Sequence, residues 1–200
     1  MQQRNYQREM DALIASLGVR PRLLLHSCCG PCSSACLERL APHFDIDVFF
    51  YNPNILPAEE WEKRLFWQRH LLEAAPFGKD VGLIVPERDE AAFRLAAAGL
   101  EDESEGGARC TECFVLRLTR TAAAAREGGY DYFATTLTVS PHKNAPLINA
   151  IGEKIAGEYG VSWLPSDFKK RDGYRRSIAL SHEYGLYRQS WCGCGLPENT

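Results

Sequence analysis

Apolar and polar positions along the chain alternate between two rhythms. The runs Arg22–Ser27 (RLLLHS), Asp45–Tyr51 (DIDVFFY), Val81–Val85, Tyr130–Thr135 and Val161–Leu164 are short and apolar, and Asp45–Tyr51 is rich in β-branched and aromatic residues. Turn formers such as Asn52-Pro53-Asn54 follow them, so they read as buried strands. Between them, helical spacing of apolar residues predicts helices over Cys32–Leu40, Ala58–Ala75, Glu87–Ala98, Cys110–Arg126, His142–Tyr159 and Gly173–Tyr184. The polar stretch Glu101–Ala108 predicts a surface loop, and Tyr187–Thr200 a cysteine-bearing tail. Strands alternating with helices imply parallel βαβ units, and so an α/β layered sheet in one domain spanning 1–200. Ligands of such sheets bind beyond the carboxyl ends of the strands, where the first cysteines fall.

Composition narrows the partners. With 200 residues, 45% of them hydrophobic, the chain can bury a full core, and its formal charge of -3 carries no global basic signature. The charge is uneven. Glu87–Glu105 holds seven acids against two bases (net -5), whereas Phe168–Arg188 holds six bases against two acids (net +4). That basic segment, with Arg175, Arg176 and Arg188, suits a polyanion; the plainer reading is a solvated helix face. The N-terminus lacks the apolar run of a signal peptide, and no stretch approaches the roughly 20 apolar residues of a membrane helix. The expectation is a cytoplasmic protein with no membrane partner and reduced thiols, in which eight cysteines mean metal or redox chemistry rather than disulfides.

Seven of those cysteines fall in three groups: Cys28, Cys29 and Cys32 in CCGPC, Cys110 and Cys113 in CTEC, and Cys192 and Cys194 in CGCG. The i, i+3 pairs put two sulfurs on one face of a first helical turn, where free amides and the helix dipole favour thiolates. In an extended Cys-Gly-Cys both sulfurs project to one side. A structural zinc site takes four ligands and is closed, so seven thiols exceed it. Either two metal sites exist or one site plus catalytic thiols; a four-iron cluster takes four thiolates and leaves three for a neighbouring mononuclear metal, iron or zinc. Cys36 reads as a buried core residue, and His26 as a strand-end core histidine.

The stretches HSCCGPCS (His26–Ser33), YNPNI (Tyr51–Ile55), RCTECFVLR (Arg109–Arg117), TTLTVSPHKN (Thr135–Asn144), SDF (Ser166–Phe168) and YRQSWCGCG (Tyr187–Gly195) together resemble the cobalamin-independent epoxyqueuosine reductases, the QueH family. They run in order over nearly the whole chain. The resemblance implies a HUP-like fold related to PP-loop domains and an oxidoreductase that removes the epoxide oxygen of epoxyqueuosine at the tRNA wobble position. It also implies a [4Fe-4S] cluster with an adjacent metal, and tRNA, bound by its anticodon arm, as partner. Lys169-Lys170 follows SDF where Arg-Pro is expected, which bears on one phosphate contact.

On this footing the expected cluster ligands are Cys29, Cys110, Cys113 and Cys192, and those of the second metal Cys28, Cys32 and Cys194, with Cys28 and Cys29 interchangeable. Cys32 then belongs to the catalytic set. Asp167 is the candidate proton donor, a helix cap being its plainer role. Tyr51, Asn52 and Asn54 are candidates for gripping the base, against simple turn formation. His142, Lys143 and Asn144 are expected to open a helix after Ser140-Pro141 and suit a phosphate, with Ser140 capping that helix as the alternative. No Gly-x-Gly-x-x-Gly occurs, so electrons are expected from an external donor, and no Ser-Gly-Gly-x-Asp-Ser occurs, which disfavours ATP chemistry. Two other readings compete. One is a thiol–disulfide oxidoreductase working through CCGPC, which leaves the later cysteines idle. The other is a zinc-stabilised RNA-binding domain.

Overall fold

In the computed structural model, which describes residues 4–195, five strands form one parallel sheet: β1 (Arg22–His26), β2 (Asp45–Phe49), β3 (Gly82–Ile84), β4 (Tyr132–Thr135) and β5 (Ser162–Trp163). Their order is β3-β2-β1-β4-β5, so β1 is central. The helices are α1 (Tyr6–Ser16), α2 (Gly30–Leu40), α3 (Ala58–Ala74), α4 (Glu90–Ala96), α5 (Ala108–Glu127), α6 (Ala145–Tyr159) and α7 (Gly173–Glu183). Burial on both faces explains the unbroken Leu23-Leu24-Leu25 of β1. Leu23 and Leu25 pack into one layer with α1, α2 and α3, and Leu24 into the other with α5 and α6. The layered α/β fold is as the sequence implies, and this strand order is consistent with the HUP-like layout.

Several boundaries differ from the sequence reading. Helix α1 was not anticipated, although the Asn5 side chain caps it on Arg8 N and Met10 is buried beneath it. Helix α6 begins at Ala145, not His142. Asn144 is its cap, accepting from Leu147 N at 3.1 Å, while Ser140 Oγ accepts from His142 N in the preceding turn. His142 and Lys143 therefore lie in a loop. Helix α7 is preceded by Asp172, so Asp167 caps no helix. Positions 196–200 of the expected tail lie outside the described residues. Among those described, no helix is long and apolar enough to cross a membrane.

The sheet end opposite the cysteines is tied by polar contacts. The Tyr130 hydroxyl donates to Asp47 Oδ2 at 2.5 Å, and the Arg22 guanidinium lies 4.2 Å from the Tyr130 ring centroid. Burial, then the Asp47 carboxylate, push the phenol up to about 12. The folded chain thus holds this proton beyond an ordinary tyrosine's pKa of about 10, so stability falls as pH rises through that window. Tyr130→Phe is expected to flatten the alkaline decline of Tm in thermal scans between these pH values.

Candidate metal centre

The turn from β1 into α2 delivers the first thiols. Cys29 is the extended residue before α2, and its sulfur is buried; Cys28 and Cys32 flank it half-buried. The three sulfurs all lie within 4.8 Å of one another, and Cys28 Sγ and Cys29 Sγ are 3.8 Å apart. This three-thiol group is able to hold a metal ion. Helix α3 fixes its pedestal. The Ser27 and Ser33 hydroxyls both donate to Gln68 Oε1 at 2.7 Å.

Gly30, inside CCGPC, lies against the α3 backbone. A Cβ there would sit 2.5 Å from the Trp67 carbonyl oxygen. Backbone cannot swing aside as a side-chain tip can, so Gly30→Ala is expected to cost about 1–3 kcal/mol through overpacking. Chemical denaturation of the variant, together with its metal content, measures this.

Cys110 and Cys113 come from the first two turns of α5 and are both buried. Gly106 N donates to Cys110 Sγ at 3.3 Å. Cys192 and Cys194 arrive on the C-terminal segment, and these four cysteines line one small pocket with Asn54, Phe93, Arg117 and Lys143. Phe93 of α4 packs on Cys113, with Cys194 against the same cluster. Beside this pocket lies an open cavity of about 560 Å³, reached by Cys28, Cys32 and Cys192. Asn54, Arg117, Lys143 and Cys192 border both spaces. The three cysteine stretches, far apart in sequence, thus converge on one region. Cys29 stands with Cys28 and Cys32, and Cys194 with Cys110, Cys113 and Cys192, whereas the sequence reading divides the seven the other way round for this pair.

The fixed charge between the two groups is Arg117. Its guanidinium is buried, donating from Nε to His26 Nε2 at 3.2 Å and from Nη2 to Asn52 Oδ1 at 2.7 Å, with Nη1 3.9 Å from Cys113 Sγ. Burial, and then this cation, hold His26 down to about 3. The neutral ring therefore accepts on Nε2 and carries its proton on Nδ1, 2.8 Å from Thr135 Oγ1. Cys28 is favoured as a thiolate chiefly because the Cys29 and Cys32 thiols hydrogen-bond to it, with Arg117 and Arg64 assisting. Cys29 is pushed up to about 12, by burial first, and Cys32 is raised by its bond to Cys28. Filling the triad with metal must accordingly release protons. Cys192 is lowered to about 6 by its bond with Cys194, helped by Lys143 and Arg117. Burial disfavours the Lys143 charge, but the Cys192 thiolate and Glu105 outweigh it.

Among the other candidate residues, Asn54, His142, Lys143 and Arg188 line the open cavity. Lys143 Nζ is already engaged, 2.7 Å from Glu105 and 3.5 Å from Cys192 Sγ. Tyr51 and Asn52 are buried and do not line the cavity; Asn52 spans Arg117 and the Ser27 carbonyl. Asp167 lies off the lining, bound by Lys169 Nζ at 2.6 Å. Arg176 pairs with Glu38, and the exposed Arg175 with Asp172. Arg188 sits beside Tyr174 at the cavity edge. Sequence reasoning missed Arg117 and Arg64 as site residues, although Arg117 ends the CTEC motif stretch.

The family model for "Epoxyqueuosine reductase QueH" matches residues 23–199. The chain is 44% identical to the Epoxyqueuosine reductase QueH of Staphylococcus epidermidis, over 95% of this chain and 83% of that protein. It is 43% identical to the protein of the same name from Streptococcus pyogenes serotype M1, over 95% and 76%. For that of Thermotoga maritima the figures are 37%, over 86% and 88%. With cysteine groups brought together on a parallel sheet and a match of this extent, the chain belongs to the QueH family of epoxyqueuosine reductases.

Proposed function

We propose that this chain is an oxidoreductase that converts epoxyqueuosine to queuosine in tRNA. The observation that carries the reading is the meeting of seven thiols in two neighbouring groups, with Cys28, Cys32 and Cys192 lining one open cavity. The net reaction takes two electrons and two protons, breaks both carbon–oxygen bonds of the epoxide, and leaves an alkene and water. The electrons come from an external donor.

The donor set fits the two centres that the family resemblance implies. Four cysteines around one small pocket match the four thiolates of a [4Fe-4S] cluster: Cys110, Cys113, Cys192 and Cys194. A compact group of three sulfurs beside the open cavity matches a catalytic metal site with a free position: Cys28 and Cys32, which line the cavity, with the buried Cys29. When bound, the pair would supply electrons singly and a Lewis acid for the departing oxygen. This division follows the spatial grouping, and so exchanges Cys29 and Cys194 relative to the sequence expectation.

The remaining residues bind and orient. Asn54 carries a buried Oδ1 with no hydrogen-bond partner at the wall between the two spaces, which suits it to accept from a substrate hydroxyl or amine. His142 and Arg188 at the rim suit the nucleotide's sugar–phosphate, and Arg175 and Arg176 nearby on α7 extend a positive surface toward an anticodon arm. Arg117 and Lys143 offset thiolate charge rather than bind phosphate.

The test is an anaerobic turnover. Reconstituted protein with a chemical reductant and epoxyqueuosine-containing tRNA is expected to yield nucleoside lighter by one oxygen, read by mass spectrometry. Full metal and sulfide loading with no mass change would defeat the proposal.

A further inference from the structure

The Cys192-Gly193-Cys194 segment belongs to no helix or strand, yet it supplies two of the seven sulfurs. What holds it is a buried cation on α3. Arg64 is 1% exposed, and each nitrogen of its guanidinium is committed. Nε donates to Glu60 Oε1 at 2.6 Å, one turn earlier on the helix; Nη1 donates to the Cys192 carbonyl at 2.9 Å; Nη2 donates to the Trp191 carbonyl at 3.3 Å. The same guanidinium lies 5.4 Å from the Trp191 ring centroid.

Gly193 completes the fit. It sits at φ +101°, in the left-handed region, and a Cβ there would come within 2.9–3.0 Å of the Arg64 guanidinium atoms. Its carbonyl accepts from Leu56 N at 2.7 Å. Three residues before the segment, Gln189 Nε2 donates to Cys29 Sγ at 3.1 Å, and Ser190 lines the cavity, so the docked tail touches both thiol groups.

A buried guanidinium is costly unless its donors are used. Here they are used on the backbone of a ligand-bearing loop and not on substrate. We propose that Arg64, held in place by Glu60, is a positioning residue: it seats the C-terminal segment, and the four-thiol group is complete only when that seat is filled. Glycine between the two cysteines is then a requirement of the seat as well as of the ligands. The inference concerns which part of the chain orders which sulfurs and does not depend on the metal taken or the reaction performed.

The experiment compares full-length wild type, Arg64→Met and Gly193→Ala, each anaerobically reconstituted and challenged with a chelator and iodoacetamide. Alkylation is mapped cysteine by cysteine, and the brown absorbance is followed in parallel. Loss of two charge-assisted hydrogen bonds is expected to raise alkylation of Cys192 and Cys194 by at least about tenfold. Cys36, which is fully buried in the core, reports global unfolding and is expected to stay protected. Chromophore loss should accelerate with the tail thiols and not with Cys36. If Arg64→Met exposes Cys36 as well, Gly193→Ala decides, because it leaves the Arg64–Glu60 pair intact and disturbs the seat from the other side. Tail cysteines alkylated at the wild-type rate, in a variant whose Cys36 is protected, overturn the proposal. Should no chromophore form even in wild type, the alkylation map still decides the seating while the metal reading fails separately.

Discussion

Cys110→Ala is expected to abolish the brown chromophore after anaerobic reconstitution and to bring tRNA reduction to background, while leaving the fold intact. Cys110 stands on the first turn of α5 with Cys113 one turn on, and Gly106 N donates to its sulfur. That amide makes the thiolate a better ligand and has no role once the sulfur is gone. Removing an outer-sphere partner of a metal ligand already costs roughly 10–100-fold in affinity, so removing a ligand should exceed that. The matched control is Cys36→Ala. Cys36 is buried in the core with its sulfur toward the Cys32 carbonyl, 3.3 Å away. It should keep full absorbance and lose only packing, about 1 kcal/mol. Iron, sulfide and urea titrations on the two variants separate a ligand from a core thiol.

Arg117→Met has the second large expected effect, acting on both redox behaviour and stability. The guanidinium borders both the small pocket and the open cavity, 3.9 Å from Cys113 Sγ, and burial leaves it little screening. Without it, adding an electron to a thiolate-bound centre becomes harder, so the reduction potential should move to more negative values. The substitution also strips donors from His26 Nε2 and Asn52 Oδ1. Leaving buried acceptors unpaired costs about 1–3 kcal/mol each. Arg117→Lys keeps the charge but cannot reach His26 and Asn52 together, so it should restore the potential more than the stability. Redox titration beside thermal unfolding reads the two effects apart. A potential unmoved by methionine would remove Arg117 from the electrostatics of the site.

The strands were legible because each is short, apolar and closed by a turn, and because β1 buries both faces. The site was legible as a set of sulfurs but not as an arrangement. Which cysteine stands with which depends on how a segment without regular structure is docked. The docking group, Arg64, lies between Trp61 and Leu65 on the buried face of α3, where a charge is easily taken for a snorkelling surface residue. Arg117 was more accessible to sequence reasoning. It follows Cys113 by four positions and Cys110 by seven, which places all three on one face of α5. An arginine on a cysteine-bearing face is a signal for thiolate compensation. Helix α1 carries little apolar patterning beyond Met10, Leu13 and Ile14, so its clearest signal in the sequence is the Asn5 cap. The start of α6 was misjudged because Ser140-Pro141 resembles a helix entry, whereas Asn144 holds the cap.

The most direct measurement is iron and acid-labile sulfide per chain, with X-ray absorption at the metal edge, on protein purified and reconstituted without oxygen. The account predicts about four sulfides and four irons per chain plus one further metal ion, all in predominantly sulfur surroundings. Stoichiometric zinc with no sulfide, bound by four of these cysteines, would contradict it.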